Sequence, residues 1–242
     1  MKNLTAKILT LGLASVILTS GLTACKIDKN INVNANVKIN GEEVISTHIG
    51  TGSWEIVGSS EITDALKKIF ADATGELDGY FYEPVALLGT QLVSGTNYCF
   101  LCRSAVTAHD AADPLMLTYI YVDTQGKASF LKDDSLLLPG AGTSSDNAPV
   151  PGGWSNADSP EITEDVKKVL DKASETLTGV SYEAVAYAGS QVVAGTNHAI
   201  LCKVTPSVSG TDSKASLALV YVYEDLQGNC EITDTSEVEL GI

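Results

Sequence analysis

Basic side chains are scarce in this sequence: 15 Lys and Arg stand against 30 Asp and Glu, for a formal net charge of −15 and a pI near 4.4. A surface of that sign repels phosphate backbones and anionic headgroups, which sets nucleic acid aside as a partner. The acidity itself needs no partner, because it keeps a protein soluble. Histidine is scarcer, with three residues at positions 48, 109 and 198. No G-x-S-x-G elbow, phosphate-binding loop or dinucleotide fingerprint is present. Catalysis needs a nucleophile, base and orienter, or a metal constellation, and the chain offers neither. No enzyme activity, metal or cofactor is therefore expected. Apart from Ile8 to Leu22, no apolar run approaches the length of a membrane span.

That run follows Lys2 and Lys7 and is short, as in a cleaved secretion signal. It closes on Leu22-Thr23-Ala24-Cys25, which resembles the lipobox of bacterial lipoproteins. The resemblance implies a signal peptide over 1–24 and a lipid on Cys25. The protein would then sit outside the cytoplasm, anchored to a bacterial membrane. Two acyl chains hold a protein firmly at a bilayer, whereas one binds only marginally. An ordinary secreted chain with a free thiol is the other reading of Cys25.

Five cysteines include Cys25 and leave Cys99, Cys102, Cys202 and Cys230. Cys102 and Cys202 lie in apolar, strand-like runs, where a free cysteine acts as a small hydrophobe. Cys99 and Cys102 spell C-x-x-C, but residues three apart on a strand face opposite ways. They are not expected to share a metal or a disulfide.

A duplication organises the rest. Gln91-Leu92-Val93-Ser94-Gly95-Thr96-Asn97 returns as Gln191-Val192-Val193-Ala194-Gly195-Thr196-Asn197, and Trp54, Tyr82 and Cys102 return as Trp154, Tyr182 and Cys202. A period this long means duplicated domains, not solenoid units. Residues 25–50 read as a stem, either a small hairpin turning at Asn40-Gly41 or a flexible spacer. Domains follow over 51–138 and 151–242, joined by a Gly/Pro/Ser linker over 139–150 that predicts independent movement of the two.

Each copy reads as one helix followed by strands. Ser159 offers an N-cap, Pro160 suits the first helical position and Glu161 faces the positive helix end. Ile162, Val166, Val169, Leu170, Ala173 and Leu177 form one stripe, repeated from Ile62 to Leu77 in the first copy, with Gly79 and Gly179 as stops. Strands are predicted over 182–190, 196–205, 217–224 and 229–238, with a short edge strand over 53–57. The expected class is α+β: two copies of one helix packed on a four- to five-stranded antiparallel sheet.

The repeated heptamer lies at a hairpin tip. Gly95 and Gly195 can supply positive φ there, and Asn97 and Asn197 can bond the loop backbone. Neither role accounts for Val93 and Val193, whose apolar side chains cost solubility at an exposed tip. His198 stands where the first copy has Tyr98, an exchange that suits packing better than proton transfer.

Gln191-Val192-Val193-Ala194-Gly195-Thr196-Asn197 resembles the Q-V-V-A-G-T-N loop of stefins, single-domain cystatins that inhibit papain-like cysteine proteases. Pro151-Gly152-Gly153-Trp154-Ser155 resembles the family's N-terminal trunk, and Ser159-Pro160-Glu161-Ile162 the start of its helix. The resemblance covers most of 150–204 and, more loosely, 52–103. It implies a cystatin-like fold in each copy and an apolar wedge that plugs a protease cleft without presenting a cleavable bond. The implied protease-binding residues are Gly152, Gly153, Gln191, Val192, Val193, Ala194 and Gly195. In the first copy they are Gly52, Gln91, Leu92, Val93, Ser94 and Gly95. The family's second hairpin loop carries Pro-Trp or Leu-Pro, whereas Asp123-Thr124-Gln125-Gly126 and Glu224-Asp225-Leu226-Gln227-Gly228 stand here and make that contact polar. Leu92 and Ser94 make the first loop the looser one, so the second is expected to bind better.

The expected function is reversible inhibition of papain-like cysteine proteases by a monomer held to a membrane through its lipid. The alternative is a non-inhibitory cell-surface binding or adhesion lipoprotein on the same scaffold, since a fold does not dictate a function.

Overall fold

The computed structural model describes residues 35–39, 42–46, 52–77, 80–106, 114–139, 152–207 and 214–242. Residues 1–24 of the expected signal peptide, Cys25, Gly79 and residues 140–150 lie outside them. Strands β1 (Ala35–Ile39) and β2 (Glu42–Ser46) pair antiparallel, so a hairpin occupies the stem.

The first repeat then runs β3 (Trp54–Ile56), α1 (Asp64–Thr74), β4 (Tyr80–Leu92), β5 (Gly95–Val106), β6 (Leu115–Asp123) and β7 (Ala128–Leu136). The second repeats the series as β8 (Trp154–Asn156), α2 (Glu164–Ser174), β9 (Val180–Val193), β10 (Gly195–Pro206), β11 (Ser216–Glu224) and β12 (Cys230–Val238). Each forms a five-stranded antiparallel sheet in sequential order, β3-β4-β5-β6-β7 and β8-β9-β10-β11-β12. The short β4–β5, β6–β7, β9–β10 and β11–β12 connections make hairpins, while β3 and β8 join the sheet edges across α1 and α2.

The α+β expectation, with two self-contained helix-on-sheet copies, is corrected by this architecture. Among the described residues strands predominate, and the helices are two short ones of 11 residues each. The protein is mostly β. The physical reason lies in the strands, which are apolar on both faces. On β5, Tyr98, Cys99, Phe100, Leu101 and Cys102 are all buried, and on β10 so are Ala199, Ile200, Leu201 and Cys202. A run of that kind marks a strand covered on both sides.

One set of these side chains faces α1, where Leu66, Ile69, Phe70 and Ala73 pack with Tyr98, Phe100, Cys102 and Ile120. Val166, Val169, Leu170 and Ala173 of α2 do the same with Ile200, Cys202, Val220 and Val222. The other set joins the two sheets. Leu88, Cys99, Leu101, Leu117 and Tyr119 share one core with Ala188, Ala199, Leu201, Leu219 and Tyr221. Two sheets stacked on their apolar faces, about 10 Å apart, make a sandwich. The expected independent movement of the repeats gives way to this shared interior.

The sandwich has a direction. Leu240, just beyond the end of β12, lies where a Cβ on Gly89 would stand, and Leu138, just beyond β7, does the same over Gly189. Gly89 and Gly189 sit close to the β4–β5 and β9–β10 tips. The chain ends that cover them follow Leu136 and Val238, which pair with Leu115 and Leu217 at the far ends of their sheets. Each sheet therefore lays its far end over the other's tip end. Lys203 Nζ donating to the Gly58 carbonyl at 2.9 Å and Gly241 N–H donating to the Tyr119 hydroxyl at 3.3 Å reinforce the seam.

The helices start later than the sequence pattern indicates. Thr63 and Thr163 are the N-caps, accepting from Leu66 N–H and Val166 N–H. Ser159 Oγ accepts from Glu161 N–H in the preceding turn instead. The Pro160 carbonyl is spent on Tyr187 N–H at 2.9 Å, which holds 160–162 extended against the sheet. Glu61 and Glu161 thus precede the helices, and the first-turn acids are Asp64, Glu164 and Asp165. Ile162 packs on the core ahead of α2, and Leu177 is exposed.

Candidate functional site

Antiparallel register gathers three segments at one end of each sheet. In the second repeat Trp154 pairs with Gln191, Gly195 with Val193, Thr196 with Glu224, and Glu224 with Cys230. The chain entering β8 at Gly152, the β9–β10 tip and the β11–β12 turn consequently stand in a row. In the first repeat Gly52, the β4–β5 tip and the β6–β7 turn line up in the same way.

Side chains of the heptamer bind this row together. Gln191 Nε2 donates to the Gly152 carbonyl at 2.7 Å, while its Oε1 accepts from Asn197 Nδ2 at 2.6 Å. Gln91 Nε2 reaches the Gly52 carbonyl at 2.9 Å, and Asn97 Nδ2 reaches Gln91 at 2.7 Å. The asparagines therefore bond the glutamine side chains, not the loop backbone as the sequence pattern indicates. A relay of this kind ties the incoming trunk to the hairpin and removes rotamer freedom from both before any partner arrives.

The glycines are required by close approach. A Cβ on Gly195 would collide with the Glu224 carbonyl and the Tyr223 ring, and one on Gly95 with the Val122 carbonyl and the Tyr121 ring. Gly195 also has φ +136°, whereas Gly95 needs no left-handed backbone. Gly52 and Gly152, at φ +86° and +79°, turn the trunk in open space. Gly153 is half-buried beside Trp154. Trp154 packs edge-on to Tyr221 at 5.3 Å and Trp54 to Tyr119 at 5.4 Å, pinning each trunk to the shared core.

What remains outside is apolar. Val192 is 71% exposed and Val193 43%, with Ala194 exposed beside them. Leu92, Val93 and Ser94 occupy the same places in the first repeat and are exposed too. The structure thus brings together every expected tip residue of each repeat: Gly52 with Gln91–Gly95, and Gly152 and Gly153 with Gln191–Gly195.

Three contributors were not visible in the sequence pattern. Tyr223 donates its hydroxyl to the Ala194 carbonyl at 2.7 Å, fixing the tip from the neighbouring strand. Lys172, in the last turn of α2, donates to the Gly228 carbonyl at 3.1 Å and braces the β11–β12 turn. Leu226, at 79%, is the most exposed large hydrophobic residue described and projects from that turn. The second turn is therefore apolar at its crest, where the sequence motif Asp-x-x-Gly suggests a polar contact; the first repeat has Thr124 there. Below Leu226 the turn is rigid, since Asp225 Oδ1 accepts from Gln227 N–H and Asn229 N–H, both at 2.8 Å. Asn229 Nδ2 also donates to Asp225 Oδ2 at 2.7 Å, and this side-chain bond, ahead of the backbone ones, holds the Asp225 carboxyl below its usual pKa.

His198 lies behind the tip with Nδ1 3.0 Å from the Tyr187 hydroxyl and Nε2 3.3 Å from Glu224. Cys99 faces the shared core and Cys102 faces α1, on opposite sides of the sheet as expected. Among the described residues no cluster of His, Cys, Asp or Glu has the arrangement to hold a metal ion, and no helix is long and apolar enough to cross a membrane.

No protein-family profile matches this sequence, and no curated protein matches it.

Proposed function

We propose that this protein is a reversible inhibitor of papain-like cysteine proteases, and that each sheet inserts its tip into a catalytic cleft. The observation that carries the reading is a pair of exposed valines, Val192 and Val193, on a hairpin whose base is locked to the Gly152 trunk through Gln191. The likeness of 191–197 to the stefin loop supplies the partner's class. Small residues at Ala194 and Gly195 let the backbone approach a cleft wall closely. The Gly152–Trp154 segment and Leu226 flank the hairpin on either side. Nothing at the tip acts on the protease chemically; it excludes substrate by filling the groove. A lipid on Cys25 would hold the inhibitor at the outer side of a bacterial membrane, facing proteases that arrive from outside.

Rigidity is what the relay contributes, because a tip ordered beforehand loses little entropy on docking. Burying one valine side chain is worth about 1.5–3 kcal/mol, or roughly a tenfold to hundredfold change in affinity. Steady-state papain assays with the full chain test the reading. Inhibition at micromolar concentration is expected, weakened at least tenfold when Val192→Glu is combined with Leu92→Glu. Papain left fully active by the unaltered protein would end this reading and leave a non-inhibitory binding module in its place.

A further inference from the structure

Resting on that reading, we propose that one molecule engages two proteases at once, at opposite ends of the sandwich, and that the two ends differ in strength. The geometry comes from the reciprocal overlap of the sheets. Leu240, from the far end of the second sheet, covers Gly89 near the first tip, and Leu138 covers Gly189 near the second. The tips consequently point in opposite directions. The ladder from Thr196↔Glu224 to Val204↔Ser216 spans about 30 Å at roughly 3.3 Å per residue. With the overhang of each tip beyond the other sheet's end added, the two tips stand on the order of 40 Å apart. Because the sheets share the core around Leu101 and Leu201, the tips hold this orientation as one body. Two partners of ordinary domain size approach from opposite sides and do not compete for space.

The ends are built differently. The second presents Val192, Val193 and Leu226, with Tyr223 holding Ala194 and Lys172 holding the adjacent turn. The first presents Leu92, Val93 and Ser94, with Thr124 where Leu226 stands and Asp72 where Lys172 stands. More apolar surface and more bracing favour the second end.

The experiment titrates papain into the full chain and reads complex mass by light scattering and heat by calorimetry. Saturation with two papain molecules is expected, in two steps at least tenfold apart. Val192→Glu with Val193→Glu should remove the tighter step and leave a one-to-one complex. Leu92→Glu with Val93→Glu should remove the weaker step instead. All four side chains are exposed, so the fold does not depend on them. Saturation at one papain would overturn the two-ended arrangement while inhibition stands. Loss of the tighter step from the Leu92/Val93 variant would overturn the ranking. No complex of any size would overturn the inhibitory reading itself, and this inference with it.

Discussion

Asn197 donates its side-chain amide to Gln191 Oε1 at 2.6 Å, and the same glutamine passes its own amide to the backbone of Gly152. The identical chain of contacts joins Asn97, Gln91 and Gly52. A glutamine and an asparagine on one hairpin thus fix a trunk glycine 39 residues upstream of the glutamine with two hydrogen bonds.

Breaking that chain should cost stability as well as tip order. Gln191→Ala leaves the part-buried Asn197 amide unpaired, a loss of about 1–3 kcal/mol. Val192→Glu, on a side chain that touches little, should stay within about 0.5 kcal/mol of the parent. Urea unfolding of the two variants separates the roles. Equal midpoints for both would mean that the relay contributes nothing to the fold.

The shared interior makes a prediction about cooperativity. Leu201 is fully buried between the sheets, so Leu201→Ala should cost about 2–5 kcal/mol. The cost should fall on both repeats together. Trp54 and Trp154 report them separately once Trp154→Phe or Trp54→Phe removes the other indole. Coincident transitions that shift by the same amount are expected. A shift confined to the Trp154 signal would show that the sheets unfold independently.

Thiol chemistry should rank the cysteines by burial. Desolvation pushes Cys102 and Cys202 up to about 12, and Cys99 higher still. Cys230 is raised too, but it is only half-buried, next to the β11–β12 turn. The thiolate is the reactive form, so alkylation of the native protein should mark Cys230 ahead of the other three. Peptide mass mapping reads the order directly, and early labelling of Cys202 would contradict the burial described above.

The β11–β12 turn should loosen in acid. The Asp225 carboxylate accepts bonds from Asn229 and neighbouring amides, and Asp123 accepts from Lys127 and Gln125, so both pKa values are depressed in the folded state. A depressed carboxyl stabilises the fold above its unfolded pKa, and that contribution is lost as pH falls through the folded value. Carboxyl-carbon NMR titration should place both midpoints below the ordinary aspartate range of about 3.9. Midpoints at the ordinary value would mean that the turns do not hold their carboxylates.

Much of this arrangement was legible residue by residue. The offset between Trp54 and Trp154, the apolar runs and the repeated heptamer place nearly every strand of the repeats and both hairpin tips. The helix starts were misplaced because Ser159-Pro160-Glu161 satisfies every local rule for a helix N-terminus. A distant bond from Tyr187 N–H claims the Pro160 carbonyl and moves the cap to Thr163. Leu226 was hidden by its surroundings, since Asp-x-x-Gly reads as a polar turn whatever its second residue points at.

Local sequence determined the two repeats, their strand order and the chemistry of their tips, because hairpins and turns answer to neighbours a few residues away. Tertiary structure alone decided that the sheets close on each other and aim those tips in opposite directions. Side chains such as Leu101 and Leu201 declare that a face must be covered, but not by what. Only the folded chain, with Leu240 over Gly89 and Leu138 over Gly189, supplies the answer.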